Sequence, residues 1–193
     1  MRQIGVLALQ GDVDEHLAAL TRAGVRGVAV KTQRQLDAVD ALIIPGGEST
    51  TVMKLLRRFS LEQPIKDRVT SGMPIWGTCM GLIVIARDVA DLDQPCLGLL
   101  DVTVRRNAFG RQNESATVDL PIAALGEPVF PAVFIRAPWI ERIGPGVELL
   151  AERNGHGVMV RQGSVLGTSF HPELTQDDRV HRYFLHLLEK PGS

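Results

Sequence analysis

The sequence predicts an α/β fold with a mainly parallel sheet and an antiparallel extension. Its first third alternates buried apolar runs with amphipathic segments, the pattern of strand–helix–strand units with parallel strands. Its second half consists of short segments rich in β-branched residues and separated by turn residues, which favours antiparallel pairing. A length of 193 residues suits a single domain, and we expect residues 1–193 to form one.

The first strand–helix–strand unit occupies the first thirty residues. Residues 4–9 are a continuous apolar run, as expected of a strand buried on both faces. Asp12 follows as a predicted helix N-cap, with Glu15 three residues later in a capping-box arrangement. Apolar residues then recur at helical spacing up to Gly24, and residues 27–30 form the second predicted strand.

Asp12, Asp14 and His16 form an alternating run that invites comparison with a metal site. Alternate residues do not share a helix face, so this spacing does not converge on one ion. We therefore expect these residues to cap the helix and to lie on its exposed surface.

A second unit leads to the middle of the chain. Residues 41–44 are a predicted strand, followed by the Gly46-Gly47 turn and by helices over 50–59 and 61–71. Ligands of open α/β sheets bind at the carboxyl ends of strands, where this turn lies. The turn serves either as a tight connection or as the source of a free backbone N–H. It is not a phosphate loop, because the lysine expected after the glycines is absent.

The second half of the chain is predicted to be mostly strands. They cover 102–105, 116–118, 132–135, 147–151, 157–161 and 165–170. Asn154-Gly155 and Gln162-Gly163 are typical hairpin connections. An amphipathic helix over 179–190 follows.

Composition excludes several classes of function. A net charge of −1 and a pI near 6.5 leave no basic footprint for nucleic acid. No apolar run is long enough to span a bilayer, and the first residues lack a signal-peptide plan. Two cysteines, Cys79 and Cys96, do not make a disulfide framework, although the sequence leaves a bond between them open. We expect a cytoplasmic protein without a metal.

Residues 74–82 combine a short apolar strand, a sharp turn and the start of a helix continuing to Ala86. Gly77-x-Cys79-x-Gly81 has the pattern of a nucleophile elbow with cysteine in the usual serine position. The helix N-terminus favours the thiolate, and the Met80 N–H points to where an oxyanion would form. The alternative role for Cys79 is that of a small buried apolar residue.

His171 is the best candidate for a base. It follows an apolar strand, and Pro172 biases it toward extended angles. Residues i and i+2 of an extended segment lie on one side, which places Glu173 beside His171. With Cys79 these residues outline a Cys-His-Glu triad. The alternative is a capping or core histidine.

The other histidines are weaker candidates for a catalytic base. His16, His181 and His186 lie on predicted helices without an evident partner, and His156 follows a predicted turn.

These motifs resemble those of the class I glutamine amidotransferases, and more closely those of the glutaminase subunits of pyridoxal 5'-phosphate synthase. The resemblance covers nearly the whole chain. The matching blocks are residues 5–11 (GVLALQG), 44–51 (IPGGESTT), 107–112 (NAFGRQ), 134–138 (FIRAP) and 170–175 (FHPELT). It implies a three-layer, flavodoxin-like α/β/α fold.

The resemblance implies hydrolysis of L-glutamine to L-glutamate and ammonia. Cys79 would form a glutamyl thioester, His171 would act as acid and base, and Glu173 would orient His171. Backbone groups of Met80 and Gly47 would hold the oxyanion. No cofactor is implied.

The same resemblance implies glutamine-binding residues and a partner. Glutamine would be bound by Gly47, Glu48, Ser49, Arg106, Ile135 and Arg136. Glu48 suits the α-ammonium group, and Arg106 suits the α-carboxylate. Ammonia would pass to a (β/α)8-barrel synthase subunit in a large hetero-oligomer, of which pyridoxal 5'-phosphate is the product.

Two segments depart from the family pattern. Met80 stands where a small residue is more common, and Ser115-Ala116-Thr117 replaces the usual Ser-Phe-Glu. Neither change involves the triad.

Two alternatives remain at this stage. One is a class I glutaminase that serves another ammonia acceptor. The other is a non-catalytic binding or stress-response protein with a redox-sensing cysteine, which Glu173 disfavours because that role needs no orienting acid.

Overall fold

A computed structural model describes residues 2–108 and 115–189 of the protein. The helices in these ranges are α1 (Val13–Arg22), α2 (Gln33–Asp37), α3 (Ser49–Arg58), α4 (Glu62–Thr70), α5 (Met80–Ile85) and α6 (Arg179–Leu187). The strands are β1 (Gln3–Leu7), β2 (Arg26–Val30), β3 (Ala41–Ile44), β4 (Ile75–Thr78), β5 (Ala86–Val89), β6 (Leu100–Arg105), β7 (Ser115–Leu120), β8 (Phe130–Ile135), β9 (Trp139–Ile143), β10 (Glu148–Arg153), β11 (His156–Gln162) and β12 (Val165–Thr168).

One large mixed sheet runs through the molecule in the order β2-β1-β3-β4-β12-β11-β9-β6-β5, with β10 paired to β11. The strands from β2 to β12 pair in parallel. β11 pairs antiparallel with β12, β9 and β10, and β9 pairs antiparallel with β6. β7 and β8 form a separate antiparallel ribbon. The predicted mainly parallel sheet with an antiparallel extension is confirmed.

Helices cover both faces of the parallel part of the sheet. Leu56 of α3, Ile65 of α4 and Ile83 of α5 belong to one buried apolar cluster. Leu20 of α1 and Phe184 of α6 belong to the cluster on the opposite face. Burial of each such side chain contributes about 1.5–3 kcal/mol, which explains why the central strands are apolar on both faces. The result is the three-layer arrangement that the family resemblance implies.

Both predicted hairpins are confirmed, whereas one short α-helix and two short strands were not predicted. α2, β5 and β9 were not predicted, and Ala86, predicted to belong to the helix after Cys79, begins β5. A signal for α2 was present: Thr32 caps the helix by accepting a hydrogen bond from the Gln35 N–H, and the Gln35 side chain bonds back.

The candidate site residues lie together at the carboxyl ends of β3, β4 and β12, because these strands are adjacent and parallel. Ile44 pairs with Gly77, and Thr78 pairs with Thr168, so these strands end together. The segments that follow them carry the glycine turn, the cysteine elbow and the His171 motif. Helices of the described ranges are all too short or too polar to cross a bilayer.

Candidate active site

Cys79 occupies the sharp turn that the elbow pattern predicts. Its φ of 49° and ψ of −108° lie in a sparsely populated region, while its N–H donates to the Thr168 carbonyl at 2.8 Å. A Cβ on Gly77 would lie 2.3 Å from the Gly81 carbonyl oxygen, and one on Gly81 would lie 2.0 Å from that of Ile44. Close backbone approach therefore requires both glycines of the motif.

His171 and Glu173 are hydrogen-bonded, but by a different geometry from the one expected. His171 Nδ1 lies 2.7 Å from Glu173 Oε1, and the His171 N–H donates to the Val133 carbonyl. The prediction of an extended strand through both residues was wrong: β12 ends at Thr168, and Pro172–Leu174 form a 3-10 turn. Proline suits the first position of such a turn, since its fixed φ is already helical. The turn then brings the carboxylate back onto the ring.

Cys79 and His171 share a cavity of about 320 Å³, a size suited to a small ligand. The residues that line it are Asp12, Gly47, Glu48, Cys79, Met80, Arg106, Asn107, Ile135, Arg136, His171 and Leu174. The Cys79 thiol lies 3.6 Å from the Ile135 carbonyl oxygen. Cys79 and Cys96 are both free thiols, so the disulfide that the sequence left open is not formed.

The surroundings of His171 favour a charged imidazolium. Burial opposes the charge, but hydrogen bonding to Asp12, Cys79 and Glu173 outweighs it and raises the pKa of His171 to about 12. Burial also raises the pKa of Glu173, against the opposing influence of the His171 ring. A stabilised imidazolium beside Cys79 is the environment in which a cysteine serves as a thiolate nucleophile.

Five of the six predicted glutamine-binding residues line this cavity. They are Gly47, Glu48, Arg106, Ile135 and Arg136. The sixth, Ser49, is fully buried, and its hydroxyl donates to Gln94 Oε1 at 3.2 Å. The same Gln94 oxygen lies 3.4 Å from Nη1 of Arg106, so Ser49 supports Arg106 from behind.

Glu48 has a structural role as well as its predicted binding role. It is the N-cap of α3, and its Oε2 accepts hydrogen bonds from the Thr51 N–H and the Thr50 hydroxyl. Partial desolvation opposes ionisation, yet these hydrogen bonds lower the pKa of Glu48 to about 2. Its other oxygen, Oε1, lies 3.5 Å from Arg106 Nη2.

Three non-glycine residues with positive φ line the cavity: Cys79, Asn107 and Arg136. Such conformations persist where the surrounding structure holds them, and they concentrate at functional sites. Arg136 turns the chain directly after β8, which leaves the Ile135 carbonyl directed toward the thiol.

The two residues predicted to supply the oxyanion donors, Met80 and Gly47, line the cavity that contains the thiol. Met80 begins α5, immediately after Cys79, and Gly47 lies in the turn after β3. This turn is held from the side by Gln10, whose Oε1 accepts the Glu48 N–H at 2.7 Å. A Cβ on Gly47 would lie 2.4 Å from that oxygen, so the close approach of Gln10 requires glycine.

The side chains of Asp12 and His16 do not have the surroundings that the sequence predicts. Asp12 precedes α1 as expected, but its side chain makes no capping bond, and its Oδ2 lies 3.4 Å from His171 Nδ1. His16 is fully buried instead of lying on an exposed surface, and it contacts Glu173 and His181. Both side chains therefore belong to the surroundings of the triad, a relationship between distant segments that helical spacing alone does not reveal.

Ligand atoms of Asp12, His171 and Glu173 lie within 4.8 Å of one another, which is close enough to bind a metal ion. The 2.7 Å contact between His171 and Glu173 already accounts for this cluster as a hydrogen-bonded pair with a second carboxylate nearby.

Of the block over 107–112, residues 109–112 lie outside the described part of the chain.

Known proteins resemble the chain along its full length. The model of the SNO glutamine amidotransferase family matches residues 6–190. Pyridoxal 5'-phosphate synthase subunit PdxT of Mycobacterium sp. (strain KMS) is 53% identical, covering 97% of this chain and 93% of the relative. The PdxT of Moorella thermoacetica is also 53% identical, covering 96% of this chain and 99% of its own.

Solved structures show the same similarity. One described as a glutamine amidotransferase superposes with a TM-score of 0.91 at 49% identity, covering 97% of this chain and 99% of its own. A chain of PurLQS from Thermotoga maritima shares the fold at 21% identity and a TM-score of 0.67, covering 97% of this chain and 98% of its own. On the sequence and the fold together, the chain belongs to the SNO glutamine amidotransferase family.

Proposed function

We propose that residues 1–193 act as a single glutaminase domain that hydrolyses L-glutamine to L-glutamate and ammonia. The observation that carries this proposal is the 2.7 Å bond from His171 to Glu173 at the wall of a cavity that also contains the Cys79 thiol. A thiol nucleophile, an imidazole and an orienting carboxylate are the groups that amide hydrolysis through a thioester needs.

In this mechanism the Cys79 thiolate attacks the side-chain carboxamide carbon of glutamine. The backbone N–H groups of Met80 and Gly47 stabilise the oxyanion that forms. His171, as the imidazolium, donates a proton to the departing ammonia and leaves a glutamyl thioester on Cys79. It then takes a proton from water, which attacks the thioester and releases glutamate.

The substrate-binding assignment follows from charge. Glu48 suits the α-ammonium group of glutamine and Arg106 the α-carboxylate, since both line the cavity that contains the thiol. Gly47, Ile135 and Arg136 complete the wall, with main-chain groups available for hydrogen bonds. Ser49 acts through Gln94 and Arg106.

The ammonia acceptor in this proposal is a (β/α)8-barrel subunit of pyridoxal 5'-phosphate synthase, in a large hetero-oligomer. The support is that relatives 53% identical are named subunits of that synthase. Leu174 and Ile135 expose 40% and 36% of their surfaces beside the cavity, which suits a docking partner. A cytoplasmic location suits the two free thiols.

The test measures glutamate release from glutamine with and without the barrel subunit, for wild type, Cys79→Ala and His171→Asn. We expect wild-type turnover that the partner raises, none for Cys79→Ala, and greatly reduced turnover with retained glutamine binding for His171→Asn. Wild-type turnover indifferent to the partner would favour a glutaminase with another acceptor. Neither turnover nor glutamine binding under any condition would favour a non-catalytic protein.

A further inference from the structure

Behind the triad lies a buried row of polar side chains that the proposed mechanism does not use. His16 of α1 and His181 of α6 are both fully buried, with Nδ1 of His16 3.1 Å from Nε2 of His181. On the other side of its ring, His16 Nε2 lies 3.5 Å from Glu173 Oε2 and 3.2 Å from the Thr78 hydroxyl. The row therefore connects α6, through α1, to the carboxylate that bonds His171.

We assign the tautomers of the row from the need of Glu173 Oε2 for a donor. A carboxylate only accepts, so a hydrogen bond to Glu173 places the hydrogen of His16 on Nε2, while the Thr78 hydroxyl, 3.2 Å from the same atom, is able to donate or accept. His16 Nδ1 is then an acceptor, and His181 Nε2 donates to it. His181 Nδ1 is left as an acceptor, and it is a buried atom without a hydrogen-bond partner in the described ranges. With this assignment, the His181 Nε2–H donates to His16, and the His16 Nε2–H points toward Glu173.

Both histidines are held neutral, as this arrangement requires. Burial, followed by the neighbouring His181 and His171, lowers the pKa of His16 well below 6.5. Burial, with Arg22 nearby, lowers the pKa of His181 to about 3. A neutral ring with one defined N–H donates to a carboxylate without becoming its counter-ion, so the charge pairing stays between Glu173 and His171.

Glu173 needs such a donor. Its Oε1 bonds His171, but its Oε2 is buried and has no hydrogen-bond partner in the described ranges, with His16 Nε2 3.5 Å away. Burial of a carboxylate oxygen without a donor costs free energy, and a carboxylate held at one oxygen only is free to rotate. His16 Nε2 is placed to satisfy that oxygen.

We propose that His16 is a positioning residue, whose Nε2–H, directed by His181, holds the second oxygen of Glu173 and thereby sets the orientation of His171. The inference rests on the proposed glutaminase activity and extends it to a residue that does not touch substrate.

The first test compares the two amide replacements of His16. In His16→Gln, the side-chain amide nitrogen lies near the position of the histidine Nε2 and retains the donor. The shorter side chain of His16→Asn reaches only the position of Nδ1. We expect His16→Asn to lower kcat about tenfold or more with KM for glutamine nearly unchanged, because small misplacements of catalytic groups are costly. His16→Gln should restore most of kcat. The exposed His186 provides the matched controls His186→Asn and His186→Gln.

The second readout is the pH profile of kcat. Loss of the donor raises the pKa of Glu173, so the acid limb for His16→Asn should move up by about one pH unit. The titratable groups facing Glu173 are His171 from its own turn, Asp12 and His16 from the start of α1, and His181 through His16. β8, which also packs against this turn, contributes no titratable side chain.

The outcomes separate this inference from the proposed function. Equal loss of kcat in His16→Asn and His16→Gln with an unshifted acid limb, or no loss in either, would overturn the positioning role while leaving the glutaminase intact. If His16→Asn does not fold, His181→Asn and His181→Gln repeat the comparison one step along the row. ¹⁵N NMR of the wild type tests the tautomers without turnover: hydrogen on Nδ1 of His16 overturns the inference, and hydrogen on Nε2 supports it.

Discussion

Glu48 and Arg106, 58 residues apart in the chain, face each other across the cavity, with Glu48 Oε1 3.5 Å from Arg106 Nη2. The same two groups are the proposed partners of the ammonium and carboxylate ends of glutamine. Substrate must therefore replace part of their mutual contact with its own charges. Their pairing keeps both side chains at the cavity wall.

Arg106→Gln should weaken glutamine binding more than it slows chemistry. The lost charge-assisted bond is worth about 1.5–3 kcal/mol, which corresponds to a KM roughly 10- to 100-fold higher. Steady-state kinetics measure it, with Arg58→Gln on the exposed side of α3 as the control. A KM within twofold of the wild-type value would remove Arg106 from the binding site.

Glu48→Ala should affect stability and binding together, since Glu48 also caps α3. We expect the free energy of unfolding to fall by about 1 kcal/mol, because the Thr51 N–H loses its acceptor. Glu48→Gln retains an acceptor oxygen and should lose less stability, although it still raises KM. Denaturant unfolding provides the measurement, and Glu15→Ala, an exposed carboxylate in the first turn of α1, is the control. Equal stability of Glu48→Ala and wild type would contradict the capping role.

The buried histidines should make the protein sensitive to acid. With a pKa near 3 in the folded chain and about 6.5 when unfolded, His181 binds its proton preferentially in the unfolded state below pH 6.5. Stability therefore decreases as pH falls below 6.5, by about 2 kcal/mol from His181 alone between pH 7 and pH 5.

His181→Gln should remove that share of the pH dependence. Urea unfolding at pH 7, 6 and 5 measures it, with His186→Gln as a control that keeps the wild-type slope. A His181→Gln protein whose stability decreases with acid as steeply as the wild type would show that His181 is not held neutral.

Gly81→Ala should be severe because the added methyl group would meet backbone. Its Cβ would lie 2.0 Å from the Ile44 carbonyl oxygen, so β3 or α5 must move. We expect a loss of about 3 kcal/mol or more, together with loss of turnover as Cys79 shifts. Gly24→Ala is the comparison, since it has a positive φ of 81° but open space around it, and should cost about 1 kcal/mol. Equal thermal stability of the two variants would contradict this account of the elbow.

The sequence was sufficient where a local pattern determines the structure. The elbow around Cys79 and the two hairpins follow from glycine positions, and the parallel strands follow from continuous apolar runs. The contact of His171 with Glu173 was predicted for the wrong reason, because Pro172 begins a 3-10 turn and does not extend the strand.

The sequence was insufficient to predict the surroundings of a side chain where distant segments supply its neighbours. His16 and His181 are 165 residues apart, and each alone has the sequence context of a surface histidine. Their role becomes visible only when α1 and α6 pack on the same face of the sheet. Ser49 shows the reverse case: we expected it to contact glutamine, but its side chain is buried and donates to Gln94, and it is not among the residues that line the cavity.

The adjacency of β4 and β12 at the centre of the sheet has a consequence for biosynthesis. The two strands pair from Ile75 with Val165 to Thr78 with Thr168, so the segments that carry Cys79 and His171 meet only when β12 inserts beside a strand made 90 residues earlier. A nascent or truncated chain that ends before β12 has Cys79 but lacks the proposed base, His171. On the proposed mechanism, release of ammonia is thus withheld until β12 and His171 have been synthesised.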